Sequence, residues 1–373
     1  MTALATLSLV VWLWLLLFHG GFWLARERDA TSLPAPATWP GVVAVVPARD
    51  EVDVIARSVA SLAAQQYPGP FRIVLVDDDS TDDTASIARA AAPPDRLTLV
   101  PGAPLPAGWT GKLWAVSQGI ETAGTPDYLW LTDADIAHAP DTLATLVARA
   151  EHDRLVLVSL MAKLRCDTFA ERALIPAFIF FFQMLYPFAR VNRATGPGAA
   201  AGGCMLVRRD ALARAGGIGA IRGALIDDCT FGALLKQQGR VWLGLTDRSR
   251  SIRPYDSAGS IAAMISRSAY AQLRYNPWLL AGTLLGLTLV YAVPPALTLF
   301  GRGAARGIAA LAWAGMALAF QPTLRFYRRS PLWGAALPAI AAFYAGCTIL
   351  SAWQHGRGRG GVWKGRAQAA IGR

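Results

Sequence analysis

The sequence predicts an α/β fold, with a doubly wound, mostly parallel sheet flanked by an N-terminal transmembrane helix and a C-terminal hydrophobic helical region. Three observations predict it. Apolar, β-branched runs alternate with helical periodicity between Gly41 and Leu131, and such alternation places crossover helices on a parallel sheet. Carboxylates stand just past three successive strands, at Asp50 and Glu51, at Asp77 to Asp79, and at Asp133 and Asp135. The carboxyl edge of an open α/β sheet is where ligands bind. Long apolar stretches gather at the two ends of the chain.

Of 373 residues, 54% are hydrophobic, and the mean hydropathy is +0.34. A soluble domain of this size rarely needs so many apolar residues, so membrane segments around one globular domain are expected. The formal net charge is +11. The basic excess lies beside the apolar stretches and in the C-terminal tail, which suits anionic lipid headgroups. No zinc-finger spacing or RNA-binding motif is present, so no nucleic-acid partner is expected. Cys166, Cys204, Cys229 and Cys347 form no C-x-x-C pair, which argues against a disulfide framework or zinc site.

Residues 1–25 read as a retained transmembrane anchor. Ala3 to Leu24 is almost wholly apolar and lacks a basic n-region and a cleavage site. Arg26 and Arg28 then place the next segment in the cytoplasm by the positive-inside rule. Residues 26–40, rich in Pro and Ala from Thr31, read as a linker. Gly41 to Pro47 is the first strand and Val52 to Gln66 the first helix, stopped by Tyr67-Pro68-Gly69. Phe71 to Val76, Leu97 to Val100 and Tyr128 to Leu131 are further strands, separated by helices at Thr84 to Ala92 and Gly111 to Thr122. The first strand-to-helix turn reads Pro47-Ala48-Arg49-Asp50-Glu51, not G-x-G-x-x-G, and no G-x-x-x-x-G-K-[ST] occurs. Both absences disfavour a dinucleotide-binding oxidoreductase and a P-loop NTPase. Asp79 and Asp82 read as helix caps.

Asp133-Ala134-Asp135 ends the Tyr128 strand. Mg²⁺ and Mn²⁺ take oxygen ligands, usually one or two protein carboxylates plus substrate phosphates. The plain alternative is a solvated acidic turn. Its context favours the metal reading. Val42 to Pro47 with Glu51, Val76-Asp77-Asp78 with Ser80-Thr81-Asp82, Gly111-Lys112 and Asp133-Ala134-Asp135 resemble, in order and spacing, the successive motifs of family 2 glycosyltransferases. The layout of anchor, domain and hydrophobic C-terminal region resembles the hopene-associated members of that family.

The resemblance implies a GT-A fold over residues 41–276. It implies that Asp78 accepts a hydrogen bond from the base of a nucleotide, and that Pro47, Ala48, Arg49 and Glu51 line the nucleoside pocket. Lys112 would sit by the donor diphosphate, and Asp133 and Asp135 would hold Mg²⁺ or Mn²⁺. Asp79 stands where the family has glycine. Gly196 to Gly203 resembles the segment lining the donor-sugar and acceptor pocket, with Gly203 as a binding residue. Asp227-Asp228 stands where the family has Glu-Asp at a helix start, which makes Asp228 the catalytic base and Asp227 its support; simple N-capping is compatible with that role. Gln272, Arg274 and Tyr275 partly match the Gln/Arg-x-x-Arg-Trp motif, with Gln272 and Arg274 toward the donor. The missing Trp favours transfer of one sugar per acceptor over processive synthesis.

Leu174 to Phe188, interrupted by Pro176 and Pro187, is shorter than a span and reads as an interfacial helix, or else as a buried core helix. Residues 277–354 hold the apolar runs Pro277 to Phe300 and Leu332 to Trp353, each long enough to cross, and the shorter Gly307 to Gln321. If the short run does not cross, the basic tail of residues 355–373 (Arg357, Arg359, Lys364, Arg366, Arg373) returns to the cytoplasm. The expected protein is a multi-pass glycosyltransferase of the bacterial inner membrane. It would move one sugar, with inversion, from a nucleotide-sugar donor (a UDP-sugar) to a lipid acceptor, in the expected case a hopanoid. The rivals are a polyprenyl-phosphate glycosyltransferase and a non-catalytic nucleotide-binding membrane protein that assists lipid transport or assembly.

Overall fold

The computed structural model describes residues 1–358, 362–363 and 366–367. In chain order the elements are α1 (Thr2–Phe18), β1 (Val42–Ala48), α2 (Ile55–Ala63), β2 (Phe71–Asp77), α3 (Thr84–Ala90), β3 (Leu97–Pro101), α4 (Gly111–Ala123), β4 (Tyr128–Thr132), β5 (Ile136–His138) and α5 (Thr142–His152). There follow β6 (Leu157–Lys163), α6 (Phe169–Leu185), α7 (Phe188–Val191), β7 (Cys204–Arg208), α8 (Arg209–Arg214), α9 (Asp227–Lys236), β8 (Val241–Ser251), α10 (Ala258–Ser266) and α11 (Ala269–Gln272). The last are α12 (Pro277–Leu287), α13 (Val293–Phe300), α14 (Ala304–Phe326), α15 (Leu337–Gly356), β9 (Val362–Trp363) and β10 (Arg366–Ala367). They fall into two units. A sheet unit holds Glu27–Arg165, Arg190–Pro254 and Val362–Arg373; a helical unit holds Met1–Arg26, Cys166–Ala189 and Tyr255–Gly361.

In the sheet unit eight strands run in the order β3-β2-β1-β4-β7-β6-β8-β5. The first four are parallel, β7 is antiparallel to both neighbours, β6 and β8 pair in parallel, and β5 is an antiparallel edge. The sheet is therefore mixed, with parallel pairing dominant, as in GT-A folds. All seven residues of β1 and all five of β4 are buried. Their near-continuous apolar sequence follows from cover on both faces. Val42, Ala44, Val46 and Ala48 pack with Ile55, Val59 and Leu62 of α2 on one face. On the other, α4 lies so close that a Cβ on Gly119 would sit 2.4 Å from Val45 Cγ1. Strands β5 and β8 are additions to the expected set. The edge strand β5 has three residues, too few for a readable pattern, and β8 turns polar at Asp247 to Arg250. Glu27 to Asp29 also join the sheet, through Leu245 N–H to Glu27 O (2.8 Å) and Asp29 N–H to Leu245 O (3.2 Å). The Pro/Ala-rich stretch after Thr31 carries no regular element.

The helical unit corrects the expected membrane segments. Helix α1 has 17 residues, about 25 Å at the usual helical rise and short of a ~30 Å hydrocarbon core. It stops because Gly20 and Gly21 turn left-handed, at φ +68° and +60°. Ala3 to Leu24 is thus not one continuous helix. Among the described residues, four helical stretches are long and apolar enough to cross: Phe169–Val191, Pro277–Phe300, Ala304–Phe326 and Leu337–Gly356. The run expected to be too short extends to 23 residues as α14, because helix continues past the apolar core to include Arg306 and Arg325. The expected interfacial helix lies inside Phe169–Val191 and packs into its own unit. Phe180 is fully buried, with ring contacts to Phe22 and Phe320 at 5.4 and 5.3 Å. The boundary expected at residue 276 also moves, since 166–189 and 255–276 cluster with the helical unit. Of the basic tail, Arg359, Lys364 and Arg373 lie outside the described residues, and so does the side chain of Arg366.

Gly119→Ala tests the packing of α4 on β1. Alanine gains about 1 kcal/mol in a helix interior, but overpacking costs about 1–3 kcal/mol. The midpoint of thermal unfolding in detergent is expected to fall. A raised midpoint would show that Val45 yields.

Candidate active site

The loops after β1 and β2 are laced together by the side chains of Ser80, Asp82 and Thr84, with Asp50 reciprocating. Asp50 N–H donates to Ser80 Oγ (3.0 Å), Glu51 N–H to Thr84 Oγ1 (2.7 Å) and Val52 N–H to Asp82 Oδ2 (3.3 Å). Asp50 Oδ1 accepts from Thr81 N–H at 2.8 Å. The Arg49 guanidinium donates to the carbonyls of Asp78 and Asp79. Asp78 is fully buried, and its N–H donates to Ala48 O at 2.8 Å. Asp50 and Asp79 have φ +49° and +58°. That is the left-handed region that Asp tolerates better than most residues, which explains how Asp79 can stand where the resemblance leads one to expect glycine.

Two expectations change here. The N-cap position of α3 falls to Asp83 and not to Asp79. Asp82 does accept from Thr84 N–H at 3.0 Å, but its other oxygen serves the neighbouring loop. Ala48, expected to line a pocket, has its side chain in the core, and its carbonyl accepts from Asp78 N–H.

Where β4 ends, a second cluster forms around Lys112 in the first turn of α4. Its Nζ lies 2.8 Å from Asp133 Oδ1 and 3.1 Å from Asp227 Oδ2. Burial opposes the ammonium charge, but Asp133 and Asp227 outweigh it and raise the Lys112 pKa. Asp227 and Asp228 occupy the first turn of α9, where the helix dipole favours negative charge. Asp228 Oδ1 accepts from Cys229 N–H (2.7 Å) and Oδ2 from Gly202 N–H (3.1 Å). Burial first, and Asp227 second, push the Asp228 carboxyl up to about 6. Gly202 backs onto the charged cluster. A Cβ there would sit 3.4 Å from Lys112 Nζ and 3.5 Å from Asp228 Cβ. Gly203 instead offers its carbonyl to Thr132 Oγ1 at 2.9 Å.

Asp135 is held by a residue that the motifs did not single out. Arg253 Nε donates to Asp135 Oδ2 at 2.8 Å, and Nη2 to Glu51 Oε1 at 2.7 Å and Oε2 at 2.5 Å. Arg253 follows β8, a long strand that the apolar pattern does not announce, so its place was not legible. Glu51, Asp133, Asp135, Asp227 and Asp228 therefore share Lys112 and Arg253 as cations. Asp133 and Asp135 each keep one oxygen without a hydrogen bond among the described residues. No cage of three or more His, Cys, Asp or Glu forms among the described residues. This donor set fits Mg²⁺ or Mn²⁺, which need few protein carboxylates when a substrate diphosphate supplies the rest.

A small pocket open to solvent lies against this cluster, with Lys112, Asp133 and Asp227 in its wall and Leu131, Met205 and Phe231 among its apolar lining. Pro47 reaches it from β1. Gln272 and Arg274 belong to the helical unit. There Gln272 Nε2 donates to Tyr186 Oη at 2.7 Å, and Arg274 is exposed with φ +53°.

With this geometry in place, likeness to known proteins becomes informative. Residues 43–216 match the family model Glycosyl transferase family 2. The match spans β1 to β7 and includes Asp78, Lys112, Asp133 and Asp135, but ends before Asp228. An N-acetylglucosaminyltransferase of Rhizobium leguminosarum bv. viciae is 29% identical over 154 residues, which are 39% of this chain and 34% of that protein. The succinoglycan biosynthesis protein ExoU of Rhizobium meliloti (strain 1021) is 48% identical over 50 residues, 13% of this chain and 14% of that one. The chain thus spans about a third or less of the curated relatives it matches. Among solved structures, the mannosyltransferase PcManGT from Pyrobaculum calidifontis, in complex with GDP-Man and Mn²⁺, shares the fold at a TM-score of 0.57 and 20% identity, over 95% of this chain and 99% of that one.

Thr84→Val tests the lacing of the loops. It removes the acceptor of the buried Glu51 N–H, and an unsatisfied buried donor costs about 1–3 kcal/mol. The thermal midpoint is expected to fall measurably, and an unchanged midpoint would mean that another acceptor takes over.

Proposed function

We propose that the protein is a membrane-associated, metal-dependent inverting glycosyltransferase. It moves a single sugar from a nucleotide-sugar donor, a UDP-sugar in the first instance, to a lipid hydroxyl, with a hopanoid alcohol as the acceptor to try first. The observation that carries this reading is the Lys112 bridge between Asp133 and Asp227, beside the half-buried Asp228. It joins residues suited to a diphosphate and its metal with a carboxylate suited to proton transfer.

The chemistry follows from those positions. Asp228 takes the proton of the acceptor hydroxyl as that oxygen attacks the anomeric carbon. The bond from that carbon to the diphosphate breaks, its electron pair leaving with the nucleoside diphosphate. Lys112 offers positive charge where the leaving group develops its own. A divalent ion on Asp133 and Asp135, when bound, neutralises the same charge. Asp227 holds Lys112 at the junction. Pro47, Arg49, Glu51 and Asp78 face the nucleoside, with Asp78 accepting from the base. Gly203 shapes the sugar end. The four apolar helical stretches support a membrane setting, and so a lipid acceptor. The orientation that accompanies this reading is an inner-membrane enzyme with its sheet unit in the cytoplasm.

The test uses the full chain in detergent with Mg²⁺ or Mn²⁺, a lipid extract from a hopanoid-producing membrane and labelled nucleotide sugars. Label should move into the organic phase, and Asp228→Asn should reduce that transfer by about 10²–10⁴-fold. Transfer that survives Asp228→Asn would point to a phosphate acceptor, which needs no base. Nucleotide binding without any transfer would favour a non-catalytic role.

The raised Asp228 pKa also fixes a pH dependence. The carboxylate is the active form, so kcat/KM should be lost as pH falls through about 6. A profile flat down to about pH 4.5, well below that value, would remove Asp228 from the proton transfer.

A further inference from the structure

We propose that Arg253 is a positioning residue for the divalent metal, one that fixes the Asp135 carboxylate in the orientation in which its second oxygen meets the ion. The inference rests on the metal-dependent reading above. Asp135 lies between β4 and the three-residue edge strand β5. Asp133, two residues away, repels its carboxylate. Arg253 supplies the missing constraint. Its Nε holds Asp135 Oδ2 at 2.8 Å, and its Nη2 reaches both oxygens of Glu51, which is only 7% exposed. The backbone reinforces the link, since Ile252 N–H donates to Asp135 O at 2.9 Å. One guanidinium thus joins the ends of β1, β4 and β8.

The two cations of the site differ in kind. Lys112 is a point charge on a flexible stem, able to pass from Asp133 to a diphosphate. Arg253 is a planar fork with a fixed geometry, anchored on a buried carboxylate. The first is suited to moving during turnover and the second to staying. Asp135 Oδ1 takes no hydrogen bond among the described residues, so the fork leaves a donor oxygen in a defined place. Groups that orient a metal ligand commonly change metal affinity about 10–100-fold when removed.

The experiment measures Mn²⁺ binding to the full chain in detergent with UDP present, by the loss of the free-ion electron paramagnetic resonance signal. Wild type, Arg253→Gln and Arg253→Lys are compared, and thermal melts are recorded for each. Arg253→Gln is expected to weaken Mn²⁺ binding about 10–100-fold while keeping its melting transition. The Mn²⁺ concentration for half-maximal transfer should rise in step with that loss of affinity. Arg253→Lys restores charge but not the fork, and should recover only part of the affinity. Should the Gln variant not fold, the Lys variant decides alone. Wild-type Mn²⁺ affinity in a folded variant would overturn the proposal. So would tighter binding, which would make Arg253 a competitor of the metal. A wild type that binds no Mn²⁺ would overturn the metal-dependent reading itself.

Discussion

Lys112 is the constraint on which the site depends. Its ammonium stands between Asp133, at the end of the parallel half of the sheet, and Asp227, at the start of α9. Those two carboxylates come from distant parts of the sequence and would repel each other across an open pocket. A cation between them is what lets the strand end and the helix start approach. Thr110 fixes the helix from which the lysine projects, accepting from Leu113 N–H at 3.4 Å. Gly119 then lets that helix press onto β1. The charge is therefore set by backbone packing, and not by a loop free to wander.

The strand ends around Lys112 are built by a different device. Ser80, Asp82 and Thr84 commit their side chains to the backbone N–H groups of the neighbouring loop, and Asp50 returns a bond to Thr81. Short polar side chains do this well because they reach nearby backbone groups with little loss of freedom. The outcome is a rigid rim in which Asp78 is buried and Arg49 is spread over two carbonyls. This explains why an acidic run such as Asp77-Asp78-Asp79 survives at a strand end: Asp78 goes inward, and Asp79 takes the left-handed turn.

The parallel half of the sheet was legible because buried parallel strands are near-continuous apolar runs and their crossover helices are periodic. β5 and β8 were not, the first being too short and the second changing from apolar to polar along its length. That gap hid Arg253, whose partners are 118 and 202 residues away in sequence. The motif residues Asp133, Asp227, Asp228 and Lys112 do come together, as spacing alone could not show. Gly202 and Gly203 were indistinguishable in a Gly/Ala-rich loop, and only the packing shows which one backs onto Asp228. The membrane segments failed in both directions. Two glycines cut α1 short, while α14 ran on through arginines that a count of apolar residues excludes.

The state of Asp228 shows how these parts combine. A carboxylate taken out of water beside a second carboxylate would be driven far toward its neutral form. Three features oppose that drive. Each oxygen accepts a backbone N–H, from Cys229 and from Gly202. The first turn of α9 presents its dipole to the same charge. Lys112 lies close enough to lower the pKa. The balance leaves the group near 6, where it is ionised at neutral pH and yet holds a proton readily. A base of that strength suits a hydroxyl whose proton leaves only as the new bond forms. Removing Lys112 would free the carboxylates to repel and would push Asp228 toward the protonated form, so one lysine holds the cluster together and keeps Asp228 ionised.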